Sequence, residues 1–310
     1  MIDRKSALLI GSASIALTGL FSWLSLNAAL TAQFATALLV LGLLLGSFLN
    51  VLAHRLPKMM ESAWRRECAE AAGQPMPPLE TLTLSHPRSH CPACHAPLAG
   101  WTLIPLLGYL LLRGRCAGCA AKISLRYPLV ELGIGLAFFG IGWRLGPHPI
   151  AIASLVFLFL LSALALIDLD VRLLPDTLTQ PLLWLGLAAN LFHLFIPLQD
   201  GVIGAMAGYL LMRAIAAVFR LCTGRDGLGA GDVKLMAGLG AWLGWQQLPL
   251  IIGLGAISSA LAGGALIAMR KIDGHAPQPF GPYLIGAAAV ALLWGNEIAA
   301  WYLKTALGQG

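Results

Sequence analysis

Residues 150–170 read IAIASLVFLFLLSALALIDLD, an apolar run that ends in two carboxylates, Asp168 and Asp170. A helical bilayer span needs about 20 apolar residues, and 150–167 supplies such a run without a charge. Another apolar run begins at Asp232, directly after Gly229-Ala230-Gly231. A charged side chain at the centre of a membrane helix costs roughly 2.5–3.5 kcal/mol on insertion scales. Carboxylates at the ends of such runs are therefore functional candidates, and two of them at one membrane face point to an aspartic dyad.

The rest of the chain repeats the pattern. Of 310 residues, 58% are hydrophobic and 11% charged, with mean hydropathy +0.79. A soluble domain is typically about 25% charged, so the composition excludes a soluble two-domain enzyme. The net charge of +6 does not mark nucleic-acid binding, because excess Lys and Arg in membrane proteins mark cytoplasmic loops.

Expected spans are residues 7–28, 34–53, 128–145, 150–167, 178–197, 201–221, 232–246, 248–269 and 280–303. The fold class is an all-α polytopic membrane protein of about 8–9 transmembrane helices with a small cytoplasmic zinc-binding module. The run 7–28 also has the shape of a signal peptide, but Ala29-Leu30-Thr31-Ala32 is a poor cleavage site, and a retained span is expected. Three parts follow: N-terminal transmembrane segments over 1–53, a cytoplasmic loop domain over 54–127 and a transmembrane domain over 128–310 that carries the aspartate pair. Arg4 and Lys5 hold the N-terminus inside. Segments 54–126, 168–177, 222–231 and 270–279 then face the cytoplasm, each with Lys or Arg, whereas Pro197–Gly201 on the other side carries none. Asp168 and Asp232 thereby fall at the same cytoplasmic face.

Four of the six cysteines form two pairs, Cys91-Pro92-Ala93-Cys94 and Cys116-Ala117-Gly118-Cys119, with twenty-one residues between the pairs. Two such knuckles read as a tetrahedral four-thiolate zinc site. A cytoplasmic loop keeps thiols reduced, which favours metal over disulfides. Two disulfides would require the inverted topology, and iron is a further alternative. Four thiolates close the coordination shell, so the zinc is read as structural. His90 and His95 are read as bystanders, and Cys68 and Cys222 as inert thiols.

An aspartic peptidase needs two carboxylates close enough to share a proton, so that one activates water and the other protonates the leaving amine. Asp168 and Asp232 are the candidates. Gly229 and Gly231 allow close backbone approach, and Pro175 breaks the turn after Asp168. Asp170, Asp176 and Asp226 have the simpler reading of solvating short loops. No Rossmann strand precedes Gly227–Gly231, so a nucleotide site is excluded there.

At these residues the chain resembles the bacterial type IV prepilin peptidases, bifunctional leader peptidases and N-methyltransferases that are membrane aspartic peptidases with a GxGD motif. The resemblance spans roughly 42–290. It includes Gly46-Ser47-Phe48-Leu49-Asn50-Val51, His54-Arg55-Leu56-Pro57, both cysteine pairs, Arg126–Glu131, Ile167–Pro181, Gly229–Leu235 and Phe280-Gly281-Pro282. It implies Asp168 and Asp232 as the catalytic pair, with Asp170 and Asp176 as neighbouring acidic positions. The implied substrate is the N-terminus of a type IV prepilin or a type II secretion pseudopilin, a short basic leader followed by a hydrophobic helix. The implied reactions are cleavage at the cytoplasmic face of the inner membrane and methylation of the new amine from S-adenosylmethionine. The methylation half has no sequence signature and its cofactor-binding residues are unassigned; it rests on the resemblance and on the large cytoplasmic loop, which most single-function relatives lack. The run over 1–33 departs from the usual family start.

The competing class is a proton-coupled transporter with intramembrane aspartates. It leaves the cysteine module unexplained and expects acidic groups nearer mid-bilayer. A non-enzymatic assembly factor is a third reading.

Overall fold

A computed structural model describes the backbone of residues 4–75, 82–224, 227–270 and 278–306, and the side chains of these except at 4–28, 303 and 306. Among the described residues the regular structure is helical, with only isolated bridges at His90–Pro97 and Arg115–Lys122 in place of strands. The helices are α1 (Arg4–Ala71), α2 (Leu107–Leu111), α3 (Arg126–Leu145), α4 (Pro149–Val171), α5 (Asp176–Leu191), α6 (Leu198–Thr223), α7 (Ala230–Leu243), α8 (Leu248–Ala268) and α9 (Gly281–Ala306).

Two expectations change in α1. The break expected between 28 and 34 is absent, because Ala29-Leu30-Thr31-Ala32-Gln33 contains neither Gly nor Pro, and Ala and Leu are strong helix formers. Nor does the helix stop at 53. It continues through the charged stretch to Ala71, with Pro57 inside it and a Glu61–Arg65 pair one turn apart. The side chains of the expected span 7–28 lie outside the described residues.

Six helical segments among the described residues are long and apolar enough to cross a membrane: Ala29–Ala71, α3, α4, α6, Trp245–Ala268 and Gly281–Tyr302. Helices α5 and α7, expected as spans, have 16 and 14 residues. A helix of 14 residues is roughly 21 Å long, short of a hydrocarbon core of about 30 Å. Gly229 caps α7 in extended backbone and Gly244, at φ 83°, ends it.

The chain divides into two compact units, Met1–Ser47 with Ala99–Ile152, and Phe48–Leu98 with Ala153–Gly310. In the first, α1 and α3 approach through small residues. A Cβ at Gly42 would lie 2.9 Å from Cα of Gly135, and one at Gly46 would lie 2.8 Å from Cα of Glu131. Residues four apart share a helix face, and small residues on that face let membrane helices meet by backbone contact. Glu131 is buried, and its Oε2 accepts the Leu106 amide at 2.8 Å.

In the second unit α7 is the axis. Its residues from Asp232 to Leu243 are buried, apart from Lys234, against α5 and α6 and, more lightly, α8 and α9. Trp242 anchors it, with its ring 4.8 Å from Phe157 and 5.5 Å from Phe195 and its Nε1 donating to Leu182 O at 2.6 Å. Asn190 is fully buried. Its Nδ2 donates to the carbonyls of Ala241 and Trp242, and its Oδ1 accepts the amides of Phe195 and Ile196. This side chain ties the end of α5 to the end of α7 and fixes the depth of the short helix.

Candidate active site

Asp168 lies in the last turn of α4, following the fully buried Leu164 and Ile167. The helix ends three residues later. Arg172, at φ 55°, returns its amide to Asp168 O at 2.9 Å, and Leu173–Pro175 lead into α5. Asp232 occupies the third position of α7, where its Oδ2 accepts the Gly229 amide at 3.3 Å. That bond satisfies one of the amides left open at a helix start and places a carboxylate at the positive end of the helix dipole. Both carboxylates are buried, at 5% and 9% exposure. They are close enough to interact electrostatically across the two helix ends.

The walls of the site are glycine. A Cβ at Gly231 would meet Leu174 Cβ at 2.8 Å, so the α4–α5 loop lies directly on the start of α7. A Cβ at Gly281 would meet Asp168 Oδ2 at 2.5 Å. The Gly281 amide, at the start of α9, also bonds the Asp168 carboxyl. Asp168 Oδ2 itself is buried without a hydrogen-bond partner among the described residues. A buried oxygen left open in this way costs free energy and marks Asp168 as a functional candidate.

The other acidic candidates stand apart. Asp170 and Asp176 are exposed. Both oxygens of Asp176 lie 2.7 Å from Lys234 Nζ, an ion pair between the first residue of α5 and the fifth of α7. Asp226 lies outside the described residues. Neither this pair nor the contact of Gly281 with Asp168 was anticipated from sequence. Phe280-Gly281-Pro282 stood out there only as part of a resemblance, and its position gives no hint of which carboxylate it touches.

The four paired cysteines come together, with all four sulfurs within 4.8 Å of one another. Metal–sulfur bonds of about 2.3 Å in a tetrahedron place sulfurs roughly 3.8 Å apart, so the cluster fits an ion. Cys91 and Cys116 are buried, Cys94 and Cys119 exposed, and none is in a disulfide. The knuckles repeat one geometry. The amides of His95 and Ala120 return to the carbonyls of Cys91 and Cys116, both at 2.9 Å and both from residues at φ 57°. Gly118 N donates to Cys116 Sγ at 3.4 Å. His95 in one knuckle thus stands where Ala120, which has no ligating side chain, stands in the other. Cys68 and Cys222 are exposed free thiols.

Buried carboxylates at the ends of two helices, in a chain that also holds a four-cysteine cluster and six helices able to cross a membrane among the described residues, define the class as a polytopic membrane protein with a candidate acidic site. Comparison with known proteins gives the family. Residues 40–145 match the bacterial peptidase A24 N-terminal domain, and 155–268 match the type IV leader peptidase family. Among relatives, the Pseudomonas aeruginosa prepilin leader peptidase/N-methyltransferase is 48% identical over 88% of this chain and 94% of its own length. Proteins with the same name from Aeromonas salmonicida and Burkholderia pseudomallei are 49% and 44% identical, over 86% and 85% of this chain and 92% and 86% of theirs. The chain belongs to the type IV leader peptidase family and is an enzyme. No solved structure matches it. Nothing in these likenesses supports a proton-coupled transporter.

Proposed function

We propose that this chain removes the leader peptide from type IV prepilins or type II secretion pseudopilins, with Asp168 and Asp232 as its catalytic dyad, and then N-methylates the new terminus. The observation that carries the reading is the placement of these two carboxylates. Both are buried, Leu174 lies against Gly231 beside Asp232 and against Gly281 beside Asp168, and Asp168 Oδ2 is open among the described residues. One carboxylate takes a proton from water as the water oxygen adds to the scissile carbonyl. The other, protonated, delivers its proton to the leaving amine as the C–N bond breaks. The names of the relatives support both activities and the substrate.

The reaction belongs at the cytoplasmic face of the bacterial inner membrane. Positive charge supports this orientation, since Arg172 follows Asp168, and Arg213 and Arg220 lie on the helix that leads into the Gly229–Asp232 turn. Asp176 and Lys234 add a charged pair at the same helix ends. A pilin helix stays in the bilayer while its basic leader reaches this face. S-adenosylmethionine supplies the methyl group of the second reaction. Cys91, Cys94, Cys116 and Cys119 hold a structural zinc, whose closed shell leaves no position for substrate.

The test is leader cleavage by Asp168→Asn and Asp232→Asn in membranes. Each variant removes a titrating group at nearly constant shape, and each is expected to be inactive at normal abundance. Substantial cleavage by either would overturn the assignment. A requirement for Asp170 with Asp168 dispensable would move the dyad by two residues.

A further inference from the structure

Within the first unit, residues 100–125 carry a feature that the peptidase chemistry does not use. The short helical turns Gly100–Leu103 and α2 expose Trp101, Leu103, Ile104, Leu107, Leu110 and Leu111, with Leu110 67% and Leu111 71% exposed. Next to them Tyr109, Arg113, Arg115, Lys122 and Ser124 line an open cleft of about 570 Å³. Backbone bonds hold its cations together. Ile123 N donates to Gly114 O, Cys116 N to Ala121 O, and Arg115 faces Lys122 across an antiparallel bridge. Among the described residues no carboxylate pairs with Arg113, Arg115 or Lys122.

We infer that this cleft binds the headgroup of an anionic phospholipid while the apolar turns beside it enter the bilayer interface. Two observations select that occupant. The first is charge: three clustered cations hold an anion and repel a basic peptide such as a prepilin leader. The second is continuity with the membrane surface. The lining ends at Leu125, the cap of α3, and α3 is a candidate span. The cleft therefore opens at the depth where headgroups lie, and Trp beside Leu is the composition of an interfacial anchor.

The full-length protein in nanodiscs of mixed phosphatidylglycerol and phosphatidylcholine, returned to detergent and read by native mass spectrometry, tests this. Wild type is expected to retain phosphatidylglycerol in preference to phosphatidylcholine. Replacing Arg113, Arg115 and Lys122 together by Gln is expected to weaken retention roughly 100-fold, and each single change roughly fivefold. The exposed single variants keep the test open if the triple variant fails to fold, with thermal unfolding in detergent as the check. In nanodiscs of brominated lipid, Trp101→Phe is expected to remove part of the quenchable fluorescence. Unchanged retention in variants that unfold like wild type, or unchanged quenching, would overturn the inference. So would displacement of the lipid by millimolar inorganic phosphate, which would mark a site for a soluble anion, or retention of an acidic peptide in place of lipid. None of these readouts depends on leader cleavage.

Discussion

Gly281 stands against the carboxyl of Asp168 so closely that a Cβ there would lie 2.5 Å from Oδ2. The start of α9 is thus one wall of the site, brought to a residue on α4 by tertiary packing alone. The carboxyl cannot yield far, because Leu164 and Ile167 beside it on α4 are fully buried. Gly281→Ala is therefore expected to turn Asp168 away from its partner. Displacement of a catalytic group by about 1 Å can cost roughly 100-fold in rate, so kcat should fall by that order with the protein still inserted. Cleavage kinetics in membranes, normalised to abundance, check this.

The dyad should also be visible in the pH profile. Hydrolysis needs one carboxyl protonated and one ionised, so the rate should fall on both sides of a maximum. Below the lower macroscopic pKa both groups hold protons and water is not activated. Above the upper one both are ionised and the leaving amine receives no proton. The two values belong to the pair rather than to either residue. A flat profile of kcat/KM through the acidic and neutral range, in a detergent preparation of unchanged stability, would speak for another mechanism.

The Asp176–Lys234 pair is geometrically close but exposed, at 59% and 37% of the side chains. Solvent screening limits such a pair to about 0–1 kcal/mol. Asp176→Asn is expected to lower stability within that range and to retain most cleavage, and its effect should shrink in high salt. Thermal unfolding at two ionic strengths, beside a cleavage assay, separates this group from the dyad.

Asn190 should matter far more to stability. Asn190→Leu keeps the volume but leaves the Phe195 and Ile196 amides without their side-chain acceptor and two carbonyls without a donor. Leaving a buried polar group unpaired costs about 1–3 kcal/mol, and several are orphaned together. The expected loss is therefore at least about 2 kcal/mol, measured as reduced denaturant resistance in detergent. Asn190 touches neither carboxylate, so the protein that does fold should cleave at a near-normal rate.

Freshly purified protein is expected to carry one zinc per chain, and Cys91→Ser with Cys94→Ser should abolish it. If the cysteine module organises the methyltransferase site while membrane helices hold the proposed dyad, methylation should fall more than cleavage. Mass analysis of one substrate for both the cut and the added methyl gives the comparison. Equal loss of both activities in stably inserted protein would instead favour a cysteine module that guides the leader to the dyad.

The sequence by itself determined the membrane class, the all-helical fold, the two candidate carboxylates and the four cysteines. Each is a local property. A run such as 150–167 needs no distant residue to be apolar, and Cys-x-x-Cys places two sulfurs in one turn wherever the rest of the chain lies. Helix ends were less legible. Hydropathy does not register that α1 runs through its polar stretch on residues of high helix propensity, nor that Gly229 and Gly244 cut α7 to 14 residues. Tertiary structure alone decided that α7 lies buried among its neighbours, that Leu174 rests on Gly231, and that Gly281 closes on Asp168. It also separated the acidic residues that sequence had left side by side. Asp168 is buried because it lies on the packed face of α4, and Asp170 is exposed because two residues along a helix turn a side chain roughly 200° away.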